Sequence, residues 1–98
     1  MKEKIFNGYA DKVCDLFGIT SKMLFTKSKV RNIVDARQLL YYLCSTRPMK
    51  TAYIQEYLKL NGYSVTHSSI SHGVKIVSDR ISDGDVDYVR AVKKIMKS

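Results

Sequence analysis

The sequence lacks the long apolar runs that membrane proteins and secretory signals need. No stretch approaches the roughly 18 consecutive apolar residues of a membrane-spanning helix. The N-terminal segment MKEKIFNGYADK is charged and has no apolar centre of the length that a signal peptide requires. We therefore expect a protein that enters no membrane and stays in the cytoplasm of the cell that makes it.

Residues for metal binding, disulfide formation and catalysis are also scarce. Cys14 and Cys44 each lie within an apolar helical pattern, which favours buried thiols over a disulfide. His67 and His72 are five positions apart, so they do not form the i,i+4 pair of a zinc site. The chain has no GxxxxGK(S/T) phosphate-binding loop, no activated nucleophile and no close carboxylate pair. We expect no metal, no cofactor, no bound nucleotide and no enzymatic activity.

Acidic residues are few, and they are scarcest in one segment of the chain. The chain has 9 acidic against 17 basic residues, a net charge of +8. Most of the excess lies in residues 22–50, which contain seven basic residues and a single acid, Asp35. A localised basic block favours a polyanionic partner, and nucleic acid is the commonest one. The alternative is a solvated lysine-rich surface that aids solubility.

Apolar side chains recur at helical spacing in five segments, and no pair of strands is evident. An apolar content of 45% suits the core of one small domain over residues 1–98. The fold is therefore predicted to be all-α. Its helices cover about residues 5–17, 29–45, 51–60, 66–82 and 86–95, with a short turn through residues 23–25. The second of these helices is apolar almost all round, which predicts a central position.

The stretch NGYSVTHSSISHGVKIVSDR combines an apolar stripe with an unusual polar side. Ile70, Val74 and Val77 form the stripe, while the other side has no carboxylate before Asp79. That side carries His67, Ser68, Ser71, His72 and Lys75. Two helices joined by a short Gly-containing connection, the second with small polar residues, predict a helix-turn-helix whose second helix enters the major groove. Serine hydroxyls can donate to base edges or accept from them, whereas carboxylates would be repelled by phosphates.

Two positions of this stretch have further predicted roles. Thr66 precedes the helix and can cap it by accepting from a backbone N–H near Ser68 or Ser69. Gly73 allows either close packing of the helix or close approach to the duplex. Both alternatives for Gly73 stay open at the level of sequence.

Two motifs resemble the C-terminal DNA-binding domain of the bacterial replication initiator DnaA. That family has an Arg-X-Ile-Val-X-X-Arg-Gln run in its long helix, and VRNIVDARQLLYYL is similar to it. It also has an Asp-His-(Thr/Ser)-(Thr/Ser)-Val-X-His-Ala motif, which THSSISHG resembles. The likeness extends from DLFGI to VKKI. It implies a compact, Trp-repressor-like helical domain that binds double-stranded DNA.

The resemblance also implies roles for single residues. Arg31 corresponds to an arginine that reaches the minor groove, and Arg37 to a phosphate contact or a helix-packing residue. His72 is expected either to contact a base or phosphate or to lie at the edge of the core, hydrogen-bonded to backbone. Base contacts are predicted for Arg31, His67, Ser68, Ser69, Ser71 and His72. Phosphate contacts are predicted for Lys27, Lys29, Arg37, Lys50, Thr66 and Lys75.

The chain departs from the family in its turn. Val65 and Thr66 replace the family's Arg-Asp pair, and NGYSV replaces a shorter Gly-Gly turn. Because the family's Asp both caps the helix and helps to read a base, Thr66 keeps the cap without that base preference. We therefore expect duplex binding, and whether the family's nine-base-pair box is still the target stays open at the level of sequence.

The chain has no room for the ATPase module of a full initiator. We expect a stand-alone domain that marks a replication origin or regulates transcription, encoded by a phage or a mobile element. The alternative is a helix-turn-helix scaffold that binds a protein, such as a host replication factor or a virion component.

Overall fold

The structure is a computed structural model that describes residues 1–96, and within that range it contains six helices and no strand. The helices are α1 (Lys2–Phe17), α2 (Ser21–Leu24), α3 (Arg31–Ser45), α4 (Thr51–Leu60), α5 (His67–Ser82) and α6 (Val86–Met96). The all-α prediction is confirmed. The five long helices are the predicted ones, and α2 is the short turn expected after the first helix. Lys97, which the sequence places near the C-terminal end of α6, lies outside the described residues.

Local signals in the sequence set several helix ends. Gly18 ends α1 in the left-handed conformation, with φ 65°, which glycine adopts without a steric penalty. Thr20 caps α2 by accepting a hydrogen bond from the Met23 backbone N–H at 3.1 Å. Pro48 lies between α3 and α4, where the chain has left the helix.

The core is built around α3, as its apolar pattern predicts. This helix packs against α1, α2, α4 and α5. Leu39, Leu40 and Leu43 of α3 are completely buried. Phe6 of α1 stacks on Phe25 and packs against Tyr57, which closes the core between α1 and α4.

Both cysteines are free thiols in this core. Burial raises the pKa of the Cys44 thiol to about 12, and it also raises the pKa of Cys14, with Asp11 and Asp15 adding to the effect. Since the thiolate is the reactive form, both side chains act as small apolar residues. The prediction of buried thiols without a disulfide is confirmed.

The described helices give no sign of a membrane span. Within residues 1–96, each helix is too short or too polar to cross a bilayer.

Gly73 lies where α5 packs tightly against α3. A Cβ atom at this position would lie 2.8 Å from Cδ2 of Tyr41 and 3.1 Å from Cγ of Gln38. Tyr41 is only 4% exposed, so its ring would have to shift among packed neighbours to make room for the added atom. Of the two alternatives that the sequence leaves open for Gly73, the structure therefore supports close helix packing.

Gly73→Ala should lower the free energy of unfolding by up to about 2 kcal/mol. Overpacking a tight contact costs roughly 1–3 kcal/mol, and the higher helix propensity of alanine returns about 1 kcal/mol of that. Gly8→Ala in α1 is the matched control, because nothing lies within 4 Å of its added Cβ. That control should be stabilised by about 0.5–1 kcal/mol. Urea unfolding of the two variants measures both changes. Equal stabilisation would show that the packing around Gly73 has room for a methyl group.

Candidate nucleic-acid interface

A helical pair, α4 and α5, is joined by a turn over residues 61–66 and forms a helix-turn-helix. Ile54 and Leu58 of α4 and Ile70 of α5 are buried together in the core. The turn is braced by hydrogen bonds to α4. The Gln55 side chain donates to the Val65 carbonyl at 2.8 Å, and the Tyr63 backbone N–H donates to the Leu58 carbonyl at 2.9 Å. The turn is therefore held against α4 by two hydrogen bonds.

The start of α5 is capped as predicted. Thr66 Oγ1 accepts from the Ser69 backbone N–H at 3.1 Å, and it donates to the Ser69 hydroxyl at 3.1 Å. The Ser69 hydroxyl is thus already in contact with the cap. Ser68, the neighbouring residue, is exposed and makes no side-chain hydrogen bond within residues 1–96. The structure distinguishes two serines that the sequence treats as a pair.

The outward face of α5 carries the predicted polar residues. His67, Ser68, Ser71, His72 and Lys75 are all exposed. With 3.6 residues per turn, the last four of these lie within an arc of about 100°, opposite buried Ile70 and Val77. The first half of α5, residues 67–74, contains no carboxylate. This face therefore presents donors and acceptors without a negative charge.

Lys75 has a partner on its own helix. Its ammonium lies 3.3 Å from Asp79 Oδ2, and both side chains are well exposed. An exposed i,i+4 pair of this kind contributes at most about 1 kcal/mol. A phosphate group can therefore compete with Asp79 for Lys75.

A groove connects the start of α5 to the basic segment between α2 and α3, here called the connector (residues 26–30). The groove has a volume of about 420 Å³. Its walls are Lys27, Ser28 and Lys29 on one side and Tyr63–Thr66 with Ser69 on the other. Lys27 and Lys29 are exposed. The structure thus brings four predicted contact residues together: Lys27, Lys29, Thr66 and Ser69.

Arg37 lies beneath this groove and not on its surface. Only 5% of the residue is exposed. Its guanidinium donates to the Thr26 and Ser28 carbonyls of the connector and lies 4.7 Å from the centre of the Tyr63 ring. Of the two roles that the sequence leaves open for Arg37, this geometry favours packing over phosphate contact. A buried guanidinium that is bonded to two connector carbonyls is poorly placed to contact a phosphate.

His72 lies at the edge of the same region. It lines a small cavity with Arg37, Gln38 and Tyr41, yet it is exposed and its imidazole makes no hydrogen bond within residues 1–96. The histidine is thus accessible from solvent. The alternative of a core-edge histidine bound to backbone has no hydrogen bond to support it.

Arg31 and Lys50 lie outside the groove. Arg31 is the first residue of α3 and is exposed. Burial and then Asp35 raise the pKa of the Tyr88 phenol, and the charges of Arg80 and Arg31 are near enough to lower it. Arg31 is thus exposed at the N-terminus of α3, within electrostatic reach of Tyr88 on α6. Lys50 is exposed at the start of α4, and no described contact joins it to the groove.

Tyr63 is a residue of this region whose contact with Arg37 the sequence does not predict. Its ring supports the Arg37 guanidinium, although the two residues are 26 positions apart. A tyrosine in a polar turn gives no signal of such a contact.

Within residues 1–96, no group of three or more His, Cys, Asp or Glu side chains could hold a metal ion.

The family of this chain follows from one comparison. The model of a family described as the bacterial DnaA protein helix-turn-helix matches residues 10–77. No curated protein and no solved structure matches the chain. The matched segment covers more than half of the sequence and includes the connector, α3, α4, the turn and the outward face of α5. The chain therefore belongs to the helix-turn-helix family of the bacterial DnaA protein, a family of DNA-binding domains.

Proposed function

We propose that this protein binds double-stranded DNA with a sequence preference, with the helix over about residues 66–82 in the major groove. The observation that carries the proposal is the outward face of α5, which lies next to the groove lined by Lys27 and Lys29. Short hydroxyls and imidazoles suit base edges, and lysines at the flank suit phosphates. In this arrangement His67, Ser68, Ser71 and His72 read bases, and Ser69 supports the cap as well as facing the duplex.

The phosphate contacts of this proposal surround the recognition helix. Lys27 and Lys29 lie on one side of its N-terminus, Lys75 lies further along its outward face, and Lys50 lies at the start of α4. Thr66, at the N-terminus of α5, is proposed to lie next to a phosphate, because the backbone N–H groups of a helix start attract anions. Arg31, exposed at the start of α3, is proposed to reach the adjacent minor groove.

The biological role that we propose is the marking of a replication origin or the regulation of transcription. The helix-turn-helix and the basic connector are sufficient for site recognition, which both roles share. A phage or mobile element, acting in the host cytoplasm, is the proposed setting. Binding of a replication or virion protein is the alternative function, and the salt dependence of duplex binding separates it from the proposed one.

The affinity for duplex DNA should fall steeply with salt. Four lysines, Lys27, Lys29, Lys50 and Lys75, are proposed to neutralise phosphates, and each contributes about −0.9 to the slope of log affinity against log salt. We expect a slope of about −4 from fluorescence anisotropy titrations with a duplex recovered by selection from a random pool. Lys27→Ala/Lys29→Ala should reduce the slope by about two. A wild-type slope near zero would favour the protein-binding alternative.

Arg31→Ala should weaken specific duplex binding by about 1–3 kcal/mol, the range for the loss of a good base contact. Because Arg31 is exposed at the helix start, its loss should leave the melting temperature unchanged. Arg90→Ala provides a control that removes an exposed arginine from α6. Equal affinities of wild type and Arg31→Ala would remove Arg31 from the interface.

Changing Ser68 and Ser69 together to alanine should lower specific affinity by roughly 2–4 kcal/mol while scarcely changing non-specific binding. Base contacts determine the specific affinity, and phosphate contacts determine the non-specific affinity. The Thr66 cap keeps its bond to the Ser69 backbone N–H, so the fold should survive. Ser78→Ala, an exposed serine in the second half of α5, is the matched control.

Titrations with the selected duplex and with a scrambled one, together with thermal melts, measure these effects. Equal losses on both duplexes would mean that the two hydroxyls only position the helix. Loss of the melting transition would mean that they hold it together.

A further inference from the structure

Arg37 is a buried cation whose partners are neutral. Neither of the two ion pairs among residues 1–96 involves it. Its charge is balanced by two backbone carbonyls of the connector, Thr26 and Ser28, the second at 2.7 Å from the guanidinium. A buried charge is costly unless it is fully hydrogen-bonded, so these two carbonyls are strongly held. Arg37 therefore fixes the path of a segment that has no helical structure of its own.

The same guanidinium also contacts the turn of the helix-turn-helix. The Tyr63 ring lies 4.7 Å from it, within the range of a cation–π contact. Tyr63 is itself tied to α4 through its backbone N–H and the Leu58 carbonyl. From its place on α3, Arg37 thus joins the connector to the turn that precedes α5. We call Arg37 and Tyr63 together the clamp.

The clamp restrains the two lysines that line the groove. Lys27 lies between the two carbonyls that Arg37 holds. Lys29 follows them, and the Ser28 hydroxyl accepts from the Val30 backbone N–H at 3.1 Å, which extends the restraint past Lys29 to the start of α3. Both lysines are exposed, while the backbone that carries them is held by the buried Arg37 side chain. The spacing between these lysines and the start of the recognition helix is therefore set by the clamp.

We propose that Arg37 and Tyr63 are positioning residues that hold Lys27 and Lys29 in register with α5, so that connector and recognition helix meet the duplex together. A connector already in its bound conformation loses less conformational entropy on binding. Arg37 acts through the lysines and does not contact DNA itself. The inference rests on the proposed duplex binding and assigns a cause to part of its affinity.

A double-mutant cycle tests the clamp. The proteins are wild type, Tyr63→Leu, Lys27→Ala/Lys29→Ala and the combined triple variant, titrated at low salt with a mixed-sequence duplex of about three helical turns. Tyr63→Leu should weaken binding about tenfold in the wild-type background and less than about twofold once both lysines are absent. Tyr63→Phe keeps the ring under the guanidinium and should stay within about twofold of wild type. Arg37→Lys, which replaces the guanidinium fork by a single ammonium, should repeat the Tyr63→Leu pattern.

A readout without DNA tests the restraint itself. Amide hydrogen exchange at Val30, whose N–H is bonded within the connector, should become about tenfold faster in Tyr63→Leu than in wild type, with exchange in the centre of α3 unchanged. The salt slope of Tyr63→Leu should also fall by about one to two, as phosphate contacts are lost. A purely structural role would lower the melting temperature and leave that slope unchanged.

The outcomes separate the clamp from the proposed function. The same loss of affinity from Tyr63→Leu in both backgrounds, or no loss in either, would overturn the clamp while leaving duplex binding intact. Failure of the wild-type protein to bind the duplex at low salt would overturn the proposed function and the role of the clamp with it. Exchange at Val30 that is unchanged in Tyr63→Leu and in Arg37→Lys would also overturn the clamp.

Discussion

The close contact between α5 and α3 at Gly73 is the constraint on which the arrangement of the interface depends. A helix that presents polar residues outward must be held by its other side, and α5 has only a narrow stripe for that purpose, with Ile70 and Val77 fully buried. Because Gly73 has no side chain, the α5 backbone approaches Tyr41 and Gln38 directly. Packing at this distance fixes the rotation of α5, and with it the direction in which Ser68, Ser71 and His72 face.

Arg37 is a buried charge that supports the proposed interface without lying on its surface. In a basic block the simplest expectation is that every cation contacts the polyanion, yet this arginine is the one buried charged residue of residues 1–96. Its guanidinium joins a connector without helical structure to the turn of the helix-turn-helix, and both segments border the same groove. The planar fork of arginine suits this task because it can donate to two carbonyls and still face an aromatic ring.

Local features of the sequence were sufficient for the helices, their ends and the polar face. Gly18 ends α1 through its left-handed backbone, and Thr66 caps α5 through its hydroxyl. Both effects depend only on residues nearby in the chain. The location of Arg31 was not predictable in the same way. Sequence groups it with Lys27 and Lys29 in one basic block, but Arg31 begins α3 and does not line the groove that the two lysines border.

By itself, the sequence determined an all-α chain with a helix-turn-helix, a family, a basic segment and a recognition helix without carboxylates in its first half. These properties follow from composition, periodicity and short motifs, which are local. Only the tertiary structure decided that Gly73 serves packing, that the Ser69 hydroxyl belongs to the cap while Ser68 faces outward, and that Arg37 joins the connector to Tyr63. The physical reason is that each of these depends on which side of a helix meets a neighbour, and long-range packing sets that rotation.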